Sequence, residues 1–196
     1  MRWLRVAVPL AAYVALAVVV ALYSDNAIDR AVSAGLRRTD ALDLAWRVAS
    51  WPGDHIASVV VPIVAIAALV AARASREAAC LATSVVAATT LGQLTRWIVD
   101  RPRPPHALVH ATGASFPSGH VTEYVGLFGM LAVIAAVRVH DIALRRAAIA
   151  ACALLVVAVG PSRVYLGAHW PSDALGGYLL GTACVAAVAR VYRAHR

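Results

Sequence analysis

Six apolar stretches, each about as long as a membrane-crossing helix, recur along the chain and decide what it can fold into. They run from Trp3 to Tyr23, His55 to Ala72, Glu77 to Ile98, Ser118 to Val137, Leu144 to Val159 and Pro171 to Tyr192. About 20 apolar residues cross ~30 Å of hydrocarbon. Backbone polar groups in lipid must be satisfied within the segment, so each stretch is expected to be helical. Of the 196 residues 61% are hydrophobic, against ~45–50% in a soluble domain, which leaves little chain for anything else. The expectation is an all-α bundle of six transmembrane helices, a single integral-membrane domain over residues 1–196. Arg2 and Arg5 ahead of the first stretch imitate a signal peptide, but its length of about 20 residues favours a retained span.

Charge orients the bundle. All 18 basic residues are arginine. With the N-terminus in the cytoplasm, the inner segments hold Arg2, Arg5, Arg73, Arg76, Arg138, Arg145, Arg146, Arg190, Arg193 and Arg196 against Glu77 and Asp141. The outer segments balance eight arginines with Asp25, Asp29, Asp40, Asp43, Asp54, Asp100, Glu123 and Asp173. The positive-inside rule therefore puts both termini in the cytoplasm of a bacterial-type plasma membrane. Trp3, Trp46, Trp51, Trp97 and Trp170 fall near span ends, as an aromatic belt requires. The net charge of +8 is thus explained by topology, and no nucleic-acid partner is expected. Cys80, Cys152 and Cys184 lie inside apolar stretches and read as small hydrophobes. In the outer segment 24–54, Thr39 or Asp40 can cap a short surface helix that ends before Pro52. Gly177 and Gly181 form a small-xxx-small pair suited to a helix contact.

Three polar clusters resist this explanation. They are Arg96 to Pro104 at the end of the third span, Pro117-Ser118-Gly119-His120 opening the fourth, and Ser162 to Asp173 between the fifth and sixth. All three fall on the outer side in the orientation derived from charge. Gathered guanidinium groups need an anion and match phosphate oxygens in pairs. Ser118 and Gly119 sit where a helix N-terminus offers free N–H groups to an anion, with His120 one turn away. Pro171 suits a first helical turn, so Asp173, four residues beyond His169, can reach one ring nitrogen and leave the other free to attack. Two histidines, a carboxylate and a basic cradle fit phosphoryl transfer better than acyl transfer, and the arginines disfavour a metal ion.

These residues resemble the type 2 phosphatidic acid phosphatase superfamily, whose signature is K-x6-R-P, P-S-G-H and S-R-x5-H-x3-D. Pro117 to His120 and Ser162 to Asp173 match the second and third in full; Arg96-x6-Arg103-Pro104 matches the first in spacing, with arginine for lysine. The resemblance implies that His169 attacks phosphorus to give a phosphohistidine, that Asp173 fixes its tautomer, and that His120 protonates the leaving oxygen. Arg96, Arg103, Ser118, Gly119 and Arg163 would hold the phosphoryl oxygens, with no metal or other cofactor. Arg101 binds phosphate, pairs with Asp100 or stands behind the catalytic residues. Glu123 either bonds locally, stands behind His120 or meets the substrate head group. His55, His106 and His110 are expected to be solvated, and His140 and His195 lie on the far side.

The expected substrate is a lipid phosphate or diphosphate drawn from the membrane, a polyprenyl (undecaprenyl or decaprenyl) diphosphate first. Phosphatidic acid, phosphatidylglycerophosphate or a polyprenyl sugar phosphate are alternatives. A non-catalytic lipid-binding or transport protein on the same scaffold is the reading from another class. Oligomeric state is not legible.

Overall fold

The structure, a computed structural model, describes residues 3–36, 39–105 and 107–194 and, of His55, the backbone. Arg2, His106, His195, Arg196 and the His55 side chain lie outside the described residues. Among these residues there is no strand. Eight helices follow in order: α1 (Leu4–Leu22), α2 (Ala27–Ala34), α3 (Asp40–Ser50), α4 (His55–Ala71), α5 (Ser75–Val99), α6 (Gly119–Arg138), α7 (Ile142–Tyr165) and α8 (Pro171–Ala194). Five of them, α1, α5, α6, α7 and α8, are long and apolar enough to cross a membrane. The 17 residues of α4, about 25 Å at 1.5 Å per residue, reach that standard only together with α3 and the Trp51–Gly53 turn, across a 55° bend between Gly53 and Ile56. The chain is an integral-membrane all-α protein with five such spans, or six with the bent pair.

Side-chain distribution inverts what a soluble bundle shows. Val8, Val14, Val18, Ile63, Val64, Leu154 and Val157 all point outward, where lipid is the solvent and exposure of an apolar group costs nothing. The buried core is Leu81, Val121, Tyr124, Met130, Val159 and Tyr192.

What brings the helices close enough to build a site is small residues. A Cβ at Gly177 would stand 2.8 Å from that of Val121, and one at Gly181 would stand 2.6 Å from that of Val125. Glycine at both positions lets the α8 backbone lie directly on α6. The close approach allows the Ser118 amide to donate to the Asp173 carbonyl at 3.0 Å, which joins the second and third polar clusters. Within α6 the residues Val125–Gly129 form one π-helical turn, and the Ser84 hydroxyl of α5 donates to the Gly126 carbonyl there.

Helix α7 runs six residues beyond its expected end at Val159, past Pro161. Proline lacks the N–H that would bond the carbonyl four residues back. Here Tyr178 of α8 makes good the loss: its hydroxyl donates to the Val156 and Val157 carbonyls at 2.9 and 3.0 Å and accepts from Gly160 N at 3.0 Å. The extra turn carries Ser162 and Arg163.

The segment before α4 has two short helices. Thr39 caps α3 by accepting from Leu42 N. Helix α2 was not anticipated; Asn26 caps it, accepting from Asp29 N at 2.8 Å.

Candidate active site

The three clusters converge at one end of the bundle. Its centre is His169, 3% exposed, in the loop between α7 and α8. Its Nε2 lies 3.2 Å from Arg103 Nη1. A guanidinium only donates, so Nε2 accepts and the ring proton sits on Nδ1. That nitrogen is 2.9 Å from the Ser115 carbonyl, to which it donates. One tautomer is thereby fixed, with the Nε2 lone pair turned toward the arginines. Burial pushes the His169 pKa down to about 4, against the upward pull of Asp173, and Arg103 and Arg163 push the same way as burial.

Asp173, on the first turn of α8, stands 3.6 Å from His169 Nδ1, beyond hydrogen-bond length. It is held elsewhere: Oδ2 accepts from Trp170 N at 2.8 Å and from the Ser115 hydroxyl, and Oδ1 accepts from Arg101 at 2.7 Å. The sequence expectation had Asp173 reaching the ring itself. In the structure the Ser115 carbonyl makes the short contact, and Asp173 supplies a buried negative charge behind it.

Arg101 corrects another expectation. Among the described residues it does not pair with Asp100. Its side chain is wholly buried and forked between two carboxylates, Nη1 on Asp173 and Nη2 on Asp29, each at 2.7 Å. Its Nε donates to the Ser24 carbonyl and Nη1 also to the Ser172 hydroxyl. Asp29, from α2, accepts in addition from Ser172 N and Oγ at 2.9 and 2.5 Å. Burial alone would raise its pKa, but the bonds from Ser172, Arg101 and Asn26 overbalance that and hold it below the ordinary carboxylate range.

Around this core lie the other expected residues. Arg163 is 2% exposed, and its Nε and Nη1 have no hydrogen-bond partner among the described residues; the same is true of the buried Ser118 hydroxyl. Arg103 is more committed than expected. Its donors reach the carbonyls of Thr112, Gly113, Ala114 and Ala168, so it also ties down the loop, with Nη1 left beside His169. Arg96 bonds Gln93 and the Pro117 carbonyl and presses on the start of α6: a Cβ at Gly119 would lie 2.9 Å from its Nη1. Glu123 is half-buried and interacts electrostatically with Arg96. His120, in the first turn of α6, places Nε2 2.8 Å from Asp54 Oδ1. His110 and His140 lie away from these contacts. Among the described residues no group of three His, Cys, Asp or Glu side chains is gathered to hold a metal ion.

Sequence reasoning missed Asp29, Asp54, Ser115 and Ser172. Asp29 left one trace, its spacing of three from the capping Asn26. Asp54 resembles an ordinary helix cap before α4, although its side chain accepts no capping bond among the described residues.

Comparison with known proteins identifies the family. The PAP2 superfamily model matches residues 77–196. Phosphatidylglycerophosphatase B of Bacillus subtilis (strain 168) is 38% identical over 90 residues, 45% of this chain and 44% of that protein. Lipid A 1-phosphatase of Rhizobium etli is 33% identical over 112 residues, 52% of this chain and again 44% of the relative. The chain thus matches less than half the length of either. In fold it resembles the crystal structure of a transmembrane PAP2-type phosphatidylglycerolphosphate phosphatase from Bacillus subtilis, with TM-score 0.84 and 24% identity over 98% of both chains. It also resembles Aquifex aeolicus LpxE, with TM-score 0.62 and 22% identity over 82% of this chain and 92% of that one. With its motif residues gathered at one end of the bundle and the family match covering more than half its length, this chain belongs to the PAP2 superfamily.

Proposed function

We propose that the chain is a membrane lipid phosphatase that works through a phosphohistidine on His169. One observation carries the reading: the buried donors of Arg163 and Ser118 that have no hydrogen-bond partner among the described residues share a site with an imidazole whose Nε2 lone pair is turned toward the arginines. Buried polar groups are ordinarily paired, so donors left without a partner suit an oxyanion that arrives from outside.

The chemistry follows from the tautomer. The Nε2 lone pair attacks phosphorus and forms the N–P bond; the P–O bond to the lipid breaks, and its electron pair goes to the leaving oxygen, which takes a proton from His120. Water then attacks the phosphohistidine, with the neutral His120 accepting its proton, and releases phosphate. Arg163, Ser118, Gly119 and Arg96 surround the equatorial oxygens, and Arg103 Nη1 adds charge beside Nε2. Such fixed donors supply most of the rate enhancement in phosphoryl transfer. Asp173 offsets the positive charge that His169 gains, and Arg101 keeps Asp173 in place.

The positive-inside rule supports a site on the outer face with both termini in the cytoplasm, which suits a substrate entering sideways from the outer leaflet. A lipid phosphomonoester or diphosphate fits; the relatives' names point to phosphatidylglycerophosphate and lipid A beside the polyprenyl diphosphates and phosphatidic acid. The test is phosphate release from a panel of these lipids by purified chain in detergent with a chelator present. Release that His169→Ala abolishes and vanadate inhibits is the expected result; release that survives His169→Ala removes this site from the reaction, and no release at all favours a lipid-binding protein.

A further inference from the structure

Among the described residues Asp54 is the one carboxylate that touches a histidine of the site through a short contact, and it lies outside the family match, which begins at residue 77. Its Oδ1 is 2.8 Å from His120 Nε2 and 3.6 Å from Arg163 Nη1. The turn that carries it is fitted to the ring. A Cβ at Gly53 would lie 2.6 Å from His120 Cδ2 and 3.1 Å from the Tyr124 ring, and Tyr124 holds the end of α3 just ahead of that turn by donating to the Ala49 carbonyl at 2.8 Å. His120 Nδ1 makes no hydrogen bond among the described residues. The ring is therefore anchored at Nε2 and open at Nδ1, the reverse of His169.

We infer that Asp54 is the positioning residue for His120: it holds the ring by Nε2–H and balances its charge while Nδ1–H is handed to the leaving oxygen. The inference rests on the phosphatase reading above. A protonated ring near Arg163 and Arg103 meets two like charges, and only an adjacent anion offsets them. In the step itself, the P–O bond breaks, its electron pair takes the Nδ1 proton, and the now neutral ring keeps its Nε2–H on Asp54. Such help matters in proportion to how poor the leaving group is. An alkoxide leaving from a lipid phosphomonoester needs the proton; a nitrophenolate, or the phosphate monoester that leaves a lipid diphosphate, needs it far less. A carboxylate beside that departing group also repels an anionic one. The Asp54–His120 pair thus suits the site to phosphomonoesters of lipid alcohols over diphosphates.

The experiment compares Asp54→Asn with the unaltered full chain in detergent on three substrates: a dialkyl-glycerol phosphate, a polyprenyl diphosphate and a lipid-soluble nitrophenyl phosphate. Loss of the acid's support is expected to lower kcat on the alkyl phosphate on the order of 10-fold or more, part of the 10²–10⁴-fold typical of general acid catalysis. On the nitrophenyl phosphate kcat/KM for nitrophenol release, which reads only the steps up to departure of the leaving group, should stay within about 3-fold, and preference should move toward the diphosphate. Gly53→Ala, which displaces the turn but keeps the carboxylate, should give the same pattern more weakly. An equal fall in kcat/KM on all three substrates, or no fall on the alkyl phosphate, overturns the role given to Asp54. Failure of the unaltered chain to release phosphate from any of them overturns the phosphatase reading itself and this inference with it.

Discussion

The two histidines of the site are built on opposite plans. His169 is buried, held at Nδ1 by a backbone carbonyl and backed by a chain of charge that runs through Asp173 and Arg101 to Asp29, all buried. His120 leaves 19% of its side chain open and leans on one carboxylate that is itself 44% exposed. The difference follows the work each is proposed to do. A nucleophile must meet phosphorus in one direction, so rigidity serves it. An acid must pass a proton to the leaving group and recover one from water, so it needs access.

That contrast can be broken by experiment. The largest effect is expected from His169→Ala, which should reduce phosphate release at least ~10³-fold on every substrate because it removes the proposed nucleophile. His120→Ala should spare the first step on the nitrophenyl phosphate, read as a burst of nitrophenol, while slowing the water step that follows; loss of the burst in both variants would erase the distinction. Next comes stability. Arg101→Met leaves Asp29 and Asp173 as two buried carboxylates without their shared cation, and breaking a buried pair costs about 3–5 kcal/mol. Thermal unfolding in detergent should show this as a large fall in Tm, whereas Asp54→Asn, at a half-exposed pair, should move Tm little.

A subtler test uses pH. His169 titrates at about 4 in the folded chain and near 6.5 when unfolded. Between those values the unfolded chain binds the extra proton, so stability should fall as pH drops from about 6.5 to about 4. Asp29, held below its ordinary pKa, gives stability that is present above about pH 4 and lost as pH falls further. His169→Gln should flatten the upper part of that profile, and a slope unchanged by the substitution would mean that the ring is not buried neutral. The smallest effect is expected from Glu123→Gln: phosphate release should change less than about 3-fold if Glu123 acts only through the field it places on Arg96. A changed substrate preference in that variant would instead place Glu123 at the head group.

The bundle was legible in the sequence because lipid imposes a length on every crossing helix, and α1, α5, α6 and α8 fall within a few residues of the stretches read from hydropathy. The end of α7 was not, because its passage through Pro161 depends on a tyrosine 17 positions later on another helix. The motif residues announced themselves by spacing, but Asp29 and Asp54 did not. A lone carboxylate in a polar segment carries no period, and what makes each of them matter is a partner 72 or 66 residues away. Arg101 shows the same limit from the other side: its neighbour Asp100 was the obvious partner in sequence, yet Asp100 sits in a left-handed turn with φ 42° that ends α5, while Arg101 turns inward.

The open donors of Arg163 and Ser118 have a consequence after the chemistry is over. If they hold a tetrahedral oxyanion as proposed, they would do so whether or not a lipid is attached to it, and free phosphate would compete for the same place as the next substrate. Turnover would then be governed as much by how readily the emptied product escapes as by how fast the bond breaks, and a cell compartment rich in phosphate would slow this protein without any dedicated regulator.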